Sequence, residues 1–373
     1  MNSAPRKSKE LRTRISADGE LELSIVEVDL PVPTGDQVLV RMEATPINPS
    51  DLALLLGPAD LATARRDGDR LIAKVPPERL PLVQARLDQS LPVGSEGAGT
   101  IVDAGESARA LVGKRVALVT GGTYAQLKMA RALECMVLPD DVTPAQGASA
   151  YVNPLTALSM VETLRREGHT ALVHTAAASN LGQMLVRVCA DEKVPLVNIV
   201  RSADQVALLR RLGAQYVLDS TSPGFKSELT EAIASTGATL AFDAISGGTL
   251  ASTILGCMEA AAARKATAYS RYGTSVHKQV YVYGRLDVRP IELDPNRFGL
   301  AWGVSGWLLT AFFAKAGMEV MMRLRARVLA ELTTTFASNF AATIALTDML
   351  DVDTVRAFSK RATGAKYLVD PSR

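Results

Sequence analysis

Apolar residues at Leu181, Met184, Leu185, Val188 and Cys189 fall at i, i+3, i+4, i+7 and i+8, the spacing of one buried helix face. Just before them a buried run, Ala171-Leu-Val173, passes through small residues into a turn that ends at Gly182. Strand, tight turn and helix in that order place unpaired N–H groups and a positive dipole end where a diphosphate binds. The fingerprint of such turns is G-x-G-x-x-G. This chain offers Ala177, Ser179 and Gly182 at the three glycine positions, so only the last is glycine.

The pattern continues downstream. Residues 195–200 read as a second strand, 203–212 as a second helix, and 213–219 as a third strand after a glycine helix stop. Two further apolar runs, 239–243 and 280–284, each end in polar or glycine residues. Such alternation predicts an α/β fold with a doubly wound parallel sheet, whose ligands sit beyond the carboxyl ends of its strands. The alternative is a doubly wound domain whose Ala-rich turn is only a close helix–strand contact.

The first 140 residues follow another grammar. Residues 21–28 and 37–42 alternate apolar and polar side chains, as half-buried antiparallel strands do. Pro31, Pro33, Gly35 and the glycines of 94–105 mark corners of an irregular β domain. The stretch 57–91, rich in Asp, Arg and Pro, interrupts it and reads as a surface insertion, or else a lid. The segment 260–278, with Arg264, Lys265, Tyr269, Arg271, Tyr272 and His277, reads either as a loose surface loop or as a flap over a ligand.

Composition narrows the picture. A chain of 373 residues is long enough for two domains, and 47% hydrophobic with 21% charged residues is globular and soluble in character. A net charge of +2 offers no basic face for nucleic acid. The longest apolar stretch, 304–316, is too short to span a bilayer, so no membrane partner is expected. Three scattered cysteines form no disulfide framework and no metal spacing, which with a charged N-terminus points to the cytoplasm.

Several motifs carry a resemblance over nearly the whole chain. Ile47-Asn-Pro-Ser-Asp-Leu52 resembles an N-P-x-D segment, and residues 92–105 resemble P-x-x-x-G-x-E-x-A-G-x-V-x-x-x-G. Residues 121–126 are similar to G-G-x-Y-A-E, and Asn153-Pro-Leu-Thr-Ala157 to N-x-L-T-A. Residues 344–350 and 364–369 resemble the closing helix and strand of the same family. That family is the medium-chain dehydrogenase/reductase superfamily, in its zinc-independent quinone oxidoreductase branch. The resemblance implies a GroES-like irregular β-barrel catalytic domain from both chain ends (1–140 and 311–373) and a Rossmann nucleotide-binding domain (141–310). It also implies a cofactor cleft and a homodimer.

Zinc-dependent relatives carry Cys and His where this chain has Asn48 and Ser95, and the lobe with four cysteines is absent. With His169, His174 and His277 dispersed, no set of three ligands is apparent and no metal is expected. His174, within a buried strand, reads as a hydrogen-bonded core residue. Ser179-Asn180 replaces the usual Gly-Gly; Asn tolerates a left-handed backbone, and the serine hydroxyl can donate to phosphate. Where NAD-specific folds place a carboxylate, the second strand ends in Arg201-Ser202, which favours the 2′-phosphate of NADPH. The competing reading is that Arg201 merely ends a strand in water.

The resemblance brings Asn153 and Thr156, Asp243-Ala244-Ile245 and Tyr283-Gly284 to the nicotinamide end, and Ala177 with Ser179, Asn180, Leu181 and Gly182 to the diphosphate. Without zinc, alcohol oxidation fits poorly, whereas a quinone or α,β-unsaturated carbonyl accepts hydride with hydrogen-bond help alone. Asn48 and Asp51 are the candidate pocket residues, although Asp51 equally suits a helix cap. Enoyl-thioester reductases of a related branch carry a tyrosine after N-P-S-D; here 52–57 has none, which tells against that reading, and Tyr124 is the candidate to substitute as proton donor. The alternatives are a 2-enoyl thioester reductase and an NADPH-binding protein of weak activity.

Overall fold

The computed structural model describes residues 6–360, 364 and 366–373. Residues 1–5 of the first domain and Ala365 of the closing motif lie outside them. The chain divides into two compact units, Met1–Val152 with Val328–Arg373, and Asn153–Arg327. The passages thus fall at 152/153 and 327/328, where the sequence reading set 140/141 and 310/311.

In the first unit, period-two alternation yields antiparallel sheets. Glu20–Leu30 pairs with Arg6–Ile15 on one side and Arg70–Lys74 on the other. The stretch 57–91 is therefore no plain insertion. It contributes the hairpin Asp60–Asp67/Arg70–Lys74, which buries Leu71, Ile72 and Ala73 while its arginines face solvent. A second sheet is built on Gln37–Pro46, paired with Glu96–Ala104 and Leu127–Arg131. Tyr367–Asp370 adds to it antiparallel, at Leu368 and Val369, so the C-terminal chain completes the N-terminal domain.

The second unit holds a six-stranded parallel sheet. In spatial order the strands are Tyr216–Asp219, Leu196–Val200, Leu172–His174, Leu240–Asp243, Lys278–Val282 and Trp302–Gly306. In chain order this is 3-2-1-4-5-6, the doubly wound arrangement whose order reverses between the first and fourth strands. The sixth strand was not anticipated. The apolar stretch 304–316 is divided between that strand and the helix Leu309–Ala316. Helix Asn180–Asp191 buries Leu181, Met184, Leu185, Val188 and Cys189, the face read from their spacing.

Candidate active site

The corner after the first strand is shaped by two positions. Ala176 adopts a left-handed backbone, φ 50°, a conformation natural to glycine. This corrects the expectation that Asn180 would carry such strain: Ser179 is extended, and helix begins at Asn180. Gly182 is the second determinant. A Cβ there would overlap the Ala177 carbonyl oxygen and stand 2.6 Å from its carbon. Glycine is thus required for the helix to approach the turn this closely. The Ser179 hydroxyl accepts from Gly182 N at 3.1 Å, capping the helix while its own proton remains available as a donor. Ala177 N donates to Ile199 O at 3.2 Å, tying the corner to the second strand. Leu181 is buried, and the first helical turn presents backbone N–H groups and the positive dipole end.

Beyond the second strand Arg201 is exposed, and Ser202 caps the next helix by accepting from Gln205 N. No carboxylate occupies residues 200–203.

At the order reversal stands Asp243, fully buried. Its Oδ1 accepts from Thr175 Oγ1 at 2.7 Å and Ile245 N at 2.8 Å, and its Oδ2 from Ser246 N at 3.1 Å. Thr175 Oγ1 in turn accepts from Ala244 N at 2.8 Å. The Asp243 carboxylate thereby fixes the backbone at Ala244 and Ile245 and the left-handed Ser246, φ 75°. After the fifth strand, Tyr283 N donates to Asp243 O at 3.0 Å, and a Cβ on Gly284 would stand 2.9 Å from Ala244 O. The Tyr283 hydroxyl lies 2.7 Å from His174 Nε2, the two rings stacked at 5.8 Å. His174 is fully buried, and desolvation pulls its pKa down to about 3. Asn153 and Thr156 are buried within the helix Val152–Arg166.

The first unit gathers a second group. Asn48, Asp51 and Tyr124 are all buried and meet one another. Asp51 Oδ2 accepts from Asn48 N at 2.9 Å, the contact of a helix cap, and lies 3.2 Å from the Tyr124 hydroxyl. Ser95 Oγ donates to the other Asp51 oxygen. The Tyr124 hydroxyl is shared between Asp51 and the Pro46 carbonyl, so it is turned inward. Asn48 Nδ2 donates to Glu96 Oε1 at 2.9 Å, and Glu96 Oε2 accepts from Tyr151 N and Val152 N. Burial pushes the Asp51 and Glu96 carboxyl groups up and the Lys366 ammonium down, each against the pull of the opposite charge. Asn48 and Ser95 thus stand in a hydrogen-bonded network with two carboxylates. Among the described residues no three His, Cys, Asp or Glu side chains cluster as a metal site needs. No helix among them is long and apolar enough to cross a membrane.

Sequence reasoning missed Thr175, Glu96 and Lys366. Thr175 directly follows a buried strand, a position that reaches the sheet's carboxyl end. Glu96 lies inside the glycine-rich motif already quoted, and its full burial was the missing signal.

Residues 34–140 match the family pattern of the alcohol dehydrogenase GroES-like domain. A candidate NADPH:quinone reductase from Mesorhizobium loti is 26% identical, with TM-score 0.75 over 99% of this chain and 100% of that one. Quinone oxidoreductase of Escherichia coli, solved with NADPH, shares the fold at 17% identity and TM-score 0.70 over 98% and 100% of the chains. The mitochondrial enoyl-acyl-carrier-protein reductase of Xenopus tropicalis is 29% identical over 206 residues, 52% of this chain and 51% of that protein. The chain spans about half the length of the curated relatives it matches. A GroES-like domain completed by the C-terminal chain, together with a Rossmann sheet of order 3-2-1-4-5-6, is the architecture of medium-chain dehydrogenase/reductase folds. The chain carries the GroES-like domain pattern and is similar to members of that class, among them its zinc-independent, quinone-oxidoreductase-like branch.

Proposed function

We propose that this protein is an NADPH-dependent, zinc-independent oxidoreductase that passes hydride to a quinone or an α,β-unsaturated carbonyl, acting as a cytoplasmic homodimer. The observation that carries the reading is the corner at Ala177–Gly182. There a side chain at 182 would overlap the Ala177 carbonyl, so only glycine lets the helix pack this closely on the turn, the packing that accompanies a diphosphate site at a helix N-terminus. The residues fit the cofactor. First-turn amides of the helix Asn180–Asp191 would hold the diphosphate, with the Ser179 hydroxyl as an added donor. Exposed Arg201 with Ser202 would hold the 2′-phosphate, a place where a carboxylate would repel it. Ala244, Ile245 and Gly284, fixed by the Asp243 carboxylate and the Tyr283 amide, would border the nicotinamide, with Asn153 and Thr156. When bound, NADPH supplies hydride from its ring.

Asn48 and Asp51 are proposed as pocket residues, with Asp51 also capping the helix Pro49–Leu55. Tyr124 supports them from within: its inward hydrogen bonds suit a positioning role better than proton donation.

Likeness to the Mesorhizobium loti protein supports the quinone reading, and likeness to the Xenopus tropicalis reductase supports a 2-enoyl thioester as the alternative acceptor. Loss of NADPH absorbance against a panel of quinones, enones and enoyl-CoA thioesters separates them. Turnover of quinones or simple enones is the expected result. Turnover of enoyl-CoA alone would favour the alternative, and tight NADPH binding with no oxidation would leave a binding protein.

A further inference from the structure

His174 and Tyr283 form a pair whose hydrogen positions follow from burial. His174 is fully buried, and its Nδ1 has no hydrogen-bond partner. Its Nε2 meets the Tyr283 hydroxyl at 2.7 Å, and among the described residues that hydroxyl has no other partner. Tyr283 is only part-buried, just past the carboxyl end of the fifth parallel strand.

Two arrangements satisfy the contact. If Tyr283 donates to Nε2, the imidazole proton sits on Nδ1, an orphaned N–H with no route to water. If Nε2–H donates to the phenol oxygen, Nδ1 is a bare lone pair and the unmatched proton belongs to the hydroxyl of the half-buried Tyr283, which can rotate toward an acceptor. Orphaned buried N–H groups are rare because nothing offsets their desolvation. The second arrangement is therefore the stable one. The ring cannot escape the choice by taking a second proton, since burial keeps it neutral at working pH.

Resting on the NADPH reading above, we propose that His174 orients Tyr283 so that its hydroxyl donates to a carbonyl oxygen of the bound ligand at the carboxyl end of the sheet. Two carbonyls share that chemistry: the nicotinamide carboxamide and the substrate's own oxygen. Tyr283 is the ligand-touching group, and His174 is its positioning residue. No covalent step is required of either.

The hydrogen arrangement is testable without ligand. Long-range proton–nitrogen NMR on histidine-labelled wild-type protein, with His174→Gln to assign the signals, should show Nε2 protonated and Nδ1 bare. The reverse tautomer overturns the proposal, even if variants at Tyr283 fold poorly. The ligand contact is read with Tyr283→Phe. Loss of one neutral hydrogen bond weakens NADPH binding about two- to tenfold if the carboxamide is the acceptor. If the substrate oxygen is the acceptor, NADPH binding stays and kcat/KM falls by a similar factor. In both cases 2′-phospho-ADP-ribose, which lacks the nicotinamide, binds wild type and variant alike, as a collapsed corner would not allow. The double variant His174→Phe/Tyr283→Phe should be no weaker than either single one. If wild type binds NADPH and Tyr283→Phe changes neither binding nor turnover, this inference fails alone. If wild type binds no NADPH, the functional reading fails with it.

Discussion

Replacing Gly182 by alanine tests the corner on which the functional reading rests. The added Cβ would overlap the Ala177 carbonyl oxygen and lie 2.6 Å from its carbon and 2.8 Å from Ala177 Cα. Carbon atoms in contact stand roughly 3.5–4.0 Å apart, so the helix and turn must separate by about an ångström. Neither side yields freely. The helix is held by five buried apolar residues on one face, and the turn by the Ala177 N to Ile199 O bond. Overpacking of this kind costs about 1–3 kcal/mol. An ångström of displacement also misaligns the first-turn amides, and each charge-assisted bond to phosphate contributes about 1.5–3 kcal/mol. Losing one weakens NADPH about ten- to a hundredfold. Calorimetric titration with NADPH and urea unfolding read the two effects separately. Gly121→Ala is the control, since a Cβ there meets nothing within 4 Å and its backbone is not left-handed. Wild-type affinity and an unchanged unfolding midpoint in Gly182→Ala would refute the reasoning.

Four further outcomes are expected. Arg201→Glu should weaken NADPH at least tenfold, by loss of about 1.5–3 kcal/mol, while sparing NADH; equal affinities in both proteins would remove the argument for the 2′-phosphate. Ala176→Gly should raise stability by about 0.5–1 kcal/mol in urea, because φ 50° strains alanine and suits glycine. Below pH 6.5 the unfolded chain protonates His174, whereas the native chain refuses the proton until about pH 3. Its contribution is therefore complete above pH 6.5 and lost as pH falls, by about 2–3 kcal/mol at pH 4.5, and His174→Gln should flatten that part of the stability–pH curve. Lys278→Met should cost about 3 kcal/mol, since Lys278 is fully buried 2.6 Å from Glu259 and its loss strands that carboxylate. Faster proteolysis within 264–277 should accompany it, because Glu259 also accepts from Thr274 N and Oγ1 and so anchors that loop.

What could be read from the sequence follows the range of the forces involved. The helix at Asn180–Asp191 was legible because its burial obeys one period over three turns, and no distant contact is needed to recognise it. The sixth strand, Trp302–Gly306, was not, because two glycines dilute its apolar run and its pairing with Lys278–Val282 supplies the order instead. The hairpin at Asp60–Lys74 was hidden by the arginines and aspartates of its exposed face; only register against Glu20–Leu30 shows that Leu71 to Ala73 point inward. The site divides in the same way. Asn48 and Asp51 are three residues apart, and a helix cap joins them, so local chemistry pointed to both. His174 and Tyr283 are 109 residues apart. The sequence placed His174 within one strand and Tyr283 at the end of another, but the strand order 3-2-1-4-5-6 sets them face to face across the fourth strand. Proximity of that kind belongs to topology, and so does the His174 tautomer that depends on it. A periodic sequence names the strands; only the order of the sheet decides which of their end residues act together.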